Sequence, residues 1–485
     1  MPATYPDNIT TEHPFFTANK ADWELIYAAY HGGAEFISTD YIVKHPHETA
    51  AAHKARVSRA LYFNFMRQAL TKLVRLIMVE GVIRTGVADM SQFLVDANGY
   101  RTTFDAFMRD AGVVSAMYGN AHILTDYAIS AEENDIVSLS DIMDGAVFPT
   151  VELLTPLQMI NWRKRRRRGY EWCIFLVKRI VEDKETDVYI KVDYENIEEV
   201  DAQGNVVSPS FAHGLGFCPV FDLPYADVHR RDMQRGLGTD LAYVAKGILN
   251  VVSLAEEVAD RHAFTQLTMP DDGSIEELQA KQSDYLDVEA TPEYYDFLST
   301  GQDPTLAKLA RSTVMTFPAN TGHPPAFITP DSQQLSSIWD MAKDSIDLAL
   351  YAVGMTDKAG KTDVEGTGAI LSELSKNMQE VEKLVLYTVG MYMGTKPTAG
   401  AIEVLYPTSF SVLPFTDWLK NFTSVAGMST VSDEFKLGLL KNMILSMPGN
   451  MSQTEKMGYS NSLTLVAPPE VVPPGGATKK LAAGG

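Results

Sequence analysis

Apolar residues recur at helical spacing in five stretches of this 485-residue chain. From Glu48 onward, Val57, Leu61, Phe65, Leu70, Leu73 and Ile77 stand mostly three to five positions apart, the mark of an amphipathic helix or a broken pair of them. Thr103 to about Met117 puts Phe104, Phe107, Met108 and Ala111 on one side, and Gly119 with Asn120 stops it. Gly238 to about Phe264 carries the broadest apolar face, from Leu241, Val244 and Ile248 to Val258, and Pro270 closes that segment. Leu335, Ile338, Ala342, Ile346 and Ala349 predict a further long helix, capped by Asp331 or Ser332. The last stripe joins Ile370, Leu374, Met378, Val381, Val385 and Met391.

Between about 148 and 224 the period shortens to that of strands. VELLTPLQMINW, YEWCIFLVKRIV, TDVYIKVDY and, after the turn AQGN, VVSPSF read as strands, with Val188, Ile190 and Val192 alternating against Tyr189 and Lys191. AIEVLYP reads as one more strand, and Asp417 to Met447 as further helices broken at Gly427. The class is α+β, mainly helical, and no fixed-period repeat is present.

Two of these strands flank NWRKRRRRGYEW, whose cations Arg163, Lys164, Arg165, Arg166, Arg167 and Arg168 are consecutive. Gly169 suits a turn that needs positive φ, so the simplest picture is a β-hairpin with the cations at its tip. Such a run serves as a nucleic-acid grip, a membrane-surface anchor or a solvated loop tip. The rest of the chain opposes the first two, because the formal net charge of -21 repels polyanions wherever local patches do not override it. Asp271 to Asp303 is an acidic insert in which Lys281 is the one basic residue.

With 45% hydrophobic residues the chain can bury a large core in more than one compact unit. Its two cysteines, Cys173 and Cys218, build neither a disulfide framework nor a Cys-based zinc site, and a reducing compartment is expected. The opening MPATYPDNITTEHPFF lacks the regions of a signal peptide, and no apolar stretch is both long and charge-free enough to span a bilayer. The closing stretch, rich in Pro, Gly and Ala, reads as a flexible tail.

Chemical motifs are sparse. Gly360-Lys361-Thr362 imitates the end of a phosphate-binding loop, but the spacing demands Gly at the position of Met355, and the upstream element reads as a helix where the motif needs a strand. His45 and His47 beside Glu48 lack further ligands, so neither a metal nor a cofactor is expected. Cys173 sits in WCIFLV, where a small buried apolar residue is expected, and no G-x-S-x-G occurs. No catalytic constellation emerges, which favours a structural or mechanical role over an enzyme.

Several stretches carry a family likeness: YHGGAEFI, YIVKHPHE and AHKARVSRALYFN, then GNAHILTDY from Gly119, LTPLQMINWR from Leu154 and PYADVHRRDMQRGLGTDLAYVAKGILN from Pro224. SSIWDMAKDSIDLALYAVGM, leading into GAILSELSKNMQEVEKLV, completes it. These stretches and the order of elements resemble tailed-bacteriophage portal proteins, in particular a portal-like family first catalogued as a domain of unknown function. The likeness covers most of residues 25 to 395, and the last ninety residues match by position only.

The resemblance implies a portal fold whose wing, stem, clip and crown regions assemble as a ring, usually of twelve copies, around an axial channel. By order of elements, residues 1–28 would be an N-terminal arm, 29–235 the wing, 236–264 and 331–354 the two stem helices, and 265–330 the clip between them. Residues 355–366 would be the tunnel loop, 367–405 a wing helix, 406–460 a crown-like helical region and 461–485 the tail. Lys358 and Lys361 would then face DNA phosphates, or be merely solvated. The basic hairpin would sit on the wing, away from DNA in transit. Implied partners are other copies of the chain, double-stranded DNA held without sequence specificity, terminase, major capsid or scaffolding protein, and a head–tail adaptor. The implied place is the head vertex of a virion, with assembly in the host cytoplasm and no membrane. Two alternatives stay open: a head–tail connector or other virion protein without a channel role, and a nucleotide-dependent enzyme using Lys361.

Overall fold

The computed structural model describes residues 5–6, 8–46, 48–78, 81–129, 147–165, 169–181, 184–226, 235–262, 266–271, 315–318, 326–328, 332–352, 364–395, 400–407 and 410, with isolated positions at 437–438, 441, 458 and 460. Its helices are α1 (Pro14–His31), α2 (Ala50–Arg59), α3 (Phe65–Met78), α4 (Ser91–Val95), α5 (Phe104–Tyr118), α6 (Leu237–His262), α7 (Ser332–Ala352) and α8 (Val364–Tyr392). Its strands are β1 (Ile83–Thr85), β2 (Asn120–Ile129), β3 (Val147–Leu154), β4 (Met159–Lys164), β5 (Tyr170–Val181), β6 (Lys184–Val192) and β7 (Asn196–Val200). They continue with β8 (Val206–Ala212), β9 (Val220–Pro224), β10 (Gln266–Asp271), β11 (Met315–Pro318), β12 (Ala326–Ile328) and β13 (Glu403–Leu405). Helix and sheet are mixed as expected of an α+β chain. Two compact units result, one from residues 1–13, 71–234 and 362–485, the other from 14–70 and 235–361.

In the first unit, β4 to β8 form a five-stranded antiparallel meander and β3-β2-β9 a three-stranded antiparallel sheet. Val188, Ile190 and Val192 of β6 are buried as their alternation predicts, and Tyr189 is covered too. The far end of the β5–β6 pair runs on beyond the core, leaving Ile180 80% exposed. Helix α5 begins at Thr103, whose hydroxyl accepts from the Ala106 amide, and ends at Gly119, directly before β2. Close packing fixes its centre: a Cβ on Gly112 would lie 2.9 Å from Val74 Cγ1 and 3.3 Å from Met378 Sδ of α8. Arg84 of β1 pairs with Glu382 of α8, which also accepts from the Tyr406 hydroxyl. Burial pushes the Glu382 carboxyl up, against the pull of Arg84 and Tyr406.

In the second unit α6 and α7 pack together around Ile248, Val252 and Ala342, with Trp339 and Ile346 against that cluster. Helix α2 is tied to α6 by a buried cation. Arg56, 3% exposed, donates to Ser253 Oγ at 2.7 Å, to the Val43 carbonyl at 2.8 Å and to both Glu48 carboxylate oxygens. The Arg56 hydrogen bond holds Glu48 down at about 2, against a smaller desolvation effect. Beyond the helix pair, β10 lies between β11 and β12 in a small sheet.

The structure refines the pattern at several points. Of the two alternatives for the stripe from Glu48, the structure has the broken pair, α2 and α3, and Leu61 falls in the link between them, 48% exposed. VELLTPLQMINW is two strands in two different sheets, separated by a turn at Thr155–Gln158. Two stretches to which the pattern assigned no element are strands: GNAHILTDY, beginning where Gly119 ends a helix, is the central strand β2, and NIEEV is β7. Residues 14–31, which the family order divides between the arm (to 28) and the wing (from 29), form one helix, α1. Helix α8 starts at Val364, inside the stretch read as loop. The expected acidic insert from Asp272 on, and most of the expected helices between Asp417 and Met447, lie outside the described residues.

Candidate functional site

The basic run is the one chemical feature that the sequence and the structure both bring forward. Strands β4 and β5 pair antiparallel with Trp162 opposite Cys173, Arg163 opposite Trp172 and Lys164 opposite Tyr170. The Arg165 amide donates to the Gly169 carbonyl at 3.0 Å, and Gly169 has φ 78, the conformation that a side chain resists. A hairpin therefore joins them as the flanking strand patterns require. Arg166, Arg167 and Arg168 lie outside the described residues, as do Lys358 and Lys361.

The first two cations belong to the strand and are matched by the protein's own carboxylates. Arg163 Nε is 3.3 Å from Glu171 Oε2, and Lys164 Nζ is 3.3 Å from Asp222 Oδ2 and lies over the Tyr170 ring. Arg165 is exposed and borders a cleft of about 420 Å³ whose walls include Tyr170, Phe217, Cys218, Asp222 and Tyr387.

At the base of the hairpin a polar cluster joins the two sheets. His122 of β2 and Asp222 of β9 are register partners, and His122 Nδ1 lies 2.8 Å from Asp222 Oδ1. The Tyr170 hydroxyl of β5 donates to the same oxygen at 2.5 Å. Desolvation opposes the charge on Asp222, but His122, Lys164 and Tyr170 together bring it down to about 2. The same carboxylate and the same burial push the Tyr170 phenol well up.

Acid, imidazole and phenol invite comparison with a catalytic relay. Such a relay needs a nucleophile at hydrogen-bond distance from the free imidazole nitrogen. His122 is fully buried, and among the described residues its Nε2 has no hydrogen-bond partner, so none of their hydroxyls or thiols is poised there. The cluster holds the hairpin to the sheet instead.

The two cysteines lie beside this cluster. Cys173, fully buried on β5, is opposite Val192 of β6, and Cys218 Sγ is 3.8 Å from the Val192 carbonyl oxygen. Of the histidines singled out in the sequence, His45 is exposed and its amide donates to Glu48 Oε2, while His47 lies outside the described residues. Among the described residues no group of three or more His, Cys, Asp or Glu is placed to hold a metal ion, and no helix is long and apolar enough to cross a membrane.

Sequence reasoning found the cations and missed their partners. Asp222, His122 and Tyr170 come from three distant strands, and only the pairing of β2 with β9 brings the first two together. Helical or strand periodicity carries no trace of such a meeting.

Compared with known protein families and with curated proteins, the chain matches none. Among solved structures it is similar to chains of a gene transfer agent (GTA) particle. The neck of the empty particle, computed with C6 symmetry, contains a chain 11% identical, with 77% of this chain and 88% of that chain covered and a TM-score of 0.35. The virion of the native particle gives 11% identity, the same coverage and a TM-score of 0.34. The neck of the native particle, computed with C12 symmetry, gives 13% identity, 82% and 94% coverage and a TM-score of 0.34. At such superposition, function rests on the chain's own residues.

Proposed function

We propose that this chain is a non-enzymatic portal subunit of a tailed phage, forming a ring whose channel passes double-stranded DNA and to which terminase and then an adaptor dock. The observation that carries this is the helix pair of the second unit. Helix α6 leads into β10, and β12 leads into α7, and these two strands pair antiparallel with Gln266 opposite Ile328. Two long helices thus run side by side and share a small sheet at one end, which is what a stem with a clip requires.

The outer surface of the pair supports the same reading. Tyr243 and Leu254 of α6 are 53% and 45% exposed, and Met341 and Leu348 of α7 are 51% and 66% exposed. Large exposed apolar side chains on both helices suit a further protein surface. A ring supplies it from adjacent copies. The tunnel loop, which in the family's order precedes α8, would bring Lys358 and Lys361 to DNA phosphates as point charges, without sequence readout. The excess of acidic residues suits a channel, because each neutralised phosphate rewards binding by counterion release and a basic wall would hold the duplex back.

Native mass spectrometry and negative-stain images of the purified chain test the reading. Rings with an axial hole are expected, and Leu348→Glu, which places a charge on the exposed face of α7, is expected to reduce them to smaller species. A chain that stays monomeric at high concentration, both alone and with capsid and scaffolding protein present, overturns the proposal.

A further inference from the structure

The chain has two cysteines, distant in sequence, and the fold brings them together. Cys173 is 0% exposed and Cys218 5% exposed. Register partners in an antiparallel pair stand about 4.5–5.5 Å apart at Cα. The Cys218 sulfur, 3.8 Å from the carbonyl opposite Cys173, is therefore within a residue's reach of the Cys173 side chain. Burial, and then the neighbouring Cys218 thiol, push the Cys173 thiol well up. A disulfide asks for Cα atoms about 4.4–6.8 Å apart, the separation that bond formation here requires.

Access is one-sided. Cys218 borders the cleft of about 420 Å³ beside Arg165, Tyr170 and Asp222, whereas Cys173 does not line it. A small reagent therefore reaches Cys218 first.

We propose that Cys173 and Cys218 form an intramolecular disulfide when the folded chain meets a low-molecular-weight disulfide, with Cys218 as the attacking thiol and Cys173 as the resolving one. The Cys218 thiolate attacks one sulfur of the reagent RSSR, and the other sulfur leaves and takes a proton as RSH. Cys173 loses its proton and displaces the second RS group from Cys218, which also departs as RSH. The protein loses two protons and two electrons in all, and the reagent gains them as two thiols. The bond ties β5 of the five-stranded sheet to the residues that lead into β9. The inference concerns the first unit alone and holds whatever the chain assembles into. In an oxidising medium the bond would persist, and in a reducing cytosol the thiols would be restored.

The test uses the reduced, folded, full-length chain equilibrated with glutathione disulfide. Intact mass is expected to fall by two hydrogens, both thiols to become unreactive, and a digest to yield one peptide linking the Cys173 and Cys218 segments, with dithiothreitol reversing all three. Cys173→Ser is expected to stop with one glutathione on Cys218, which dithiothreitol removes, and to yield no linked peptide. Three results would overturn the proposal: two free thiols after equilibration, a glutathione adduct that persists on the wild-type chain, or disulfides only between chains.

Discussion

Asp222 binds His122, Tyr170 and Lys164 with one carboxylate, and its charge is what each of the three answers. Replacing it by Asn keeps the shape and removes the charge, so the partners are left with weaker bonds inside the fold. Asp222→Asn is expected to cost about 1–3 kcal/mol, read as a lowered denaturant midpoint. The pH dependence has a definite sign. Asp222 and Glu48 both titrate at about 2 in the fold, against ordinary values of 3.8 and 4.5. A depressed folded value contributes stability that is present above the unfolded value and is lost as pH falls through the folded one. Thermal midpoints measured from pH 5 to pH 2 should fall, and the fall should be shallower in Asp222→Asn; an equal slope in both proteins would refute the link.

At the scale of elements, the helices follow their stripes, and their contacts depend on which residues lie between. Gly112 of α5 shows this, since glycine is a poor helix former yet the approach of Val74 and Met378 leaves no room for a side chain. Gly112→Leu would raise helix propensity and still destabilise the fold, by about 1–3 kcal/mol for overpacking, in a denaturation series. A gain in stability would mean that α3 and α8 give way. The hairpin makes the complementary point. Its turn was legible from Gly169 and the flanking strands, but the division of labour among the cations was not. Arg163 and Lys164 continue β4 and meet Glu171 and Asp222, whereas Arg165 borders the open cleft.

For the whole molecule, the proposed role sets charge against passage. An acidic chain repels DNA at large, so point contacts at Lys358 and Lys361 would steady the duplex without gripping it. Replacing Lys358 and Lys361 together by Ala should leave ring assembly intact and lower DNA retention in filled particles, measured as the packaged genome remaining after mild heating. Unchanged packaging and retention would remove the two lysines from any role at DNA.

Several properties of this protein are determined locally and could be read without coordinates. The positions of α5, α6, α7 and most of α8 follow from apolar residues on one helical face, and Thr103 and Gly119 bound α5 by local hydrogen bonding and backbone conformation. The hairpin around Gly169 is local in the same sense. Tertiary structure decided the rest, because it depends on which distant strands become neighbours. The placement of β2 beside β9 sets His122 against Asp222, and the approach of residue 218 to the β5–β6 pair sets one thiol against another. Burial of Arg56 and Glu382 is of the same origin. A charge enters the core only where a partner from elsewhere in the chain compensates its desolvation, and periodicity along one segment holds no record of that partner.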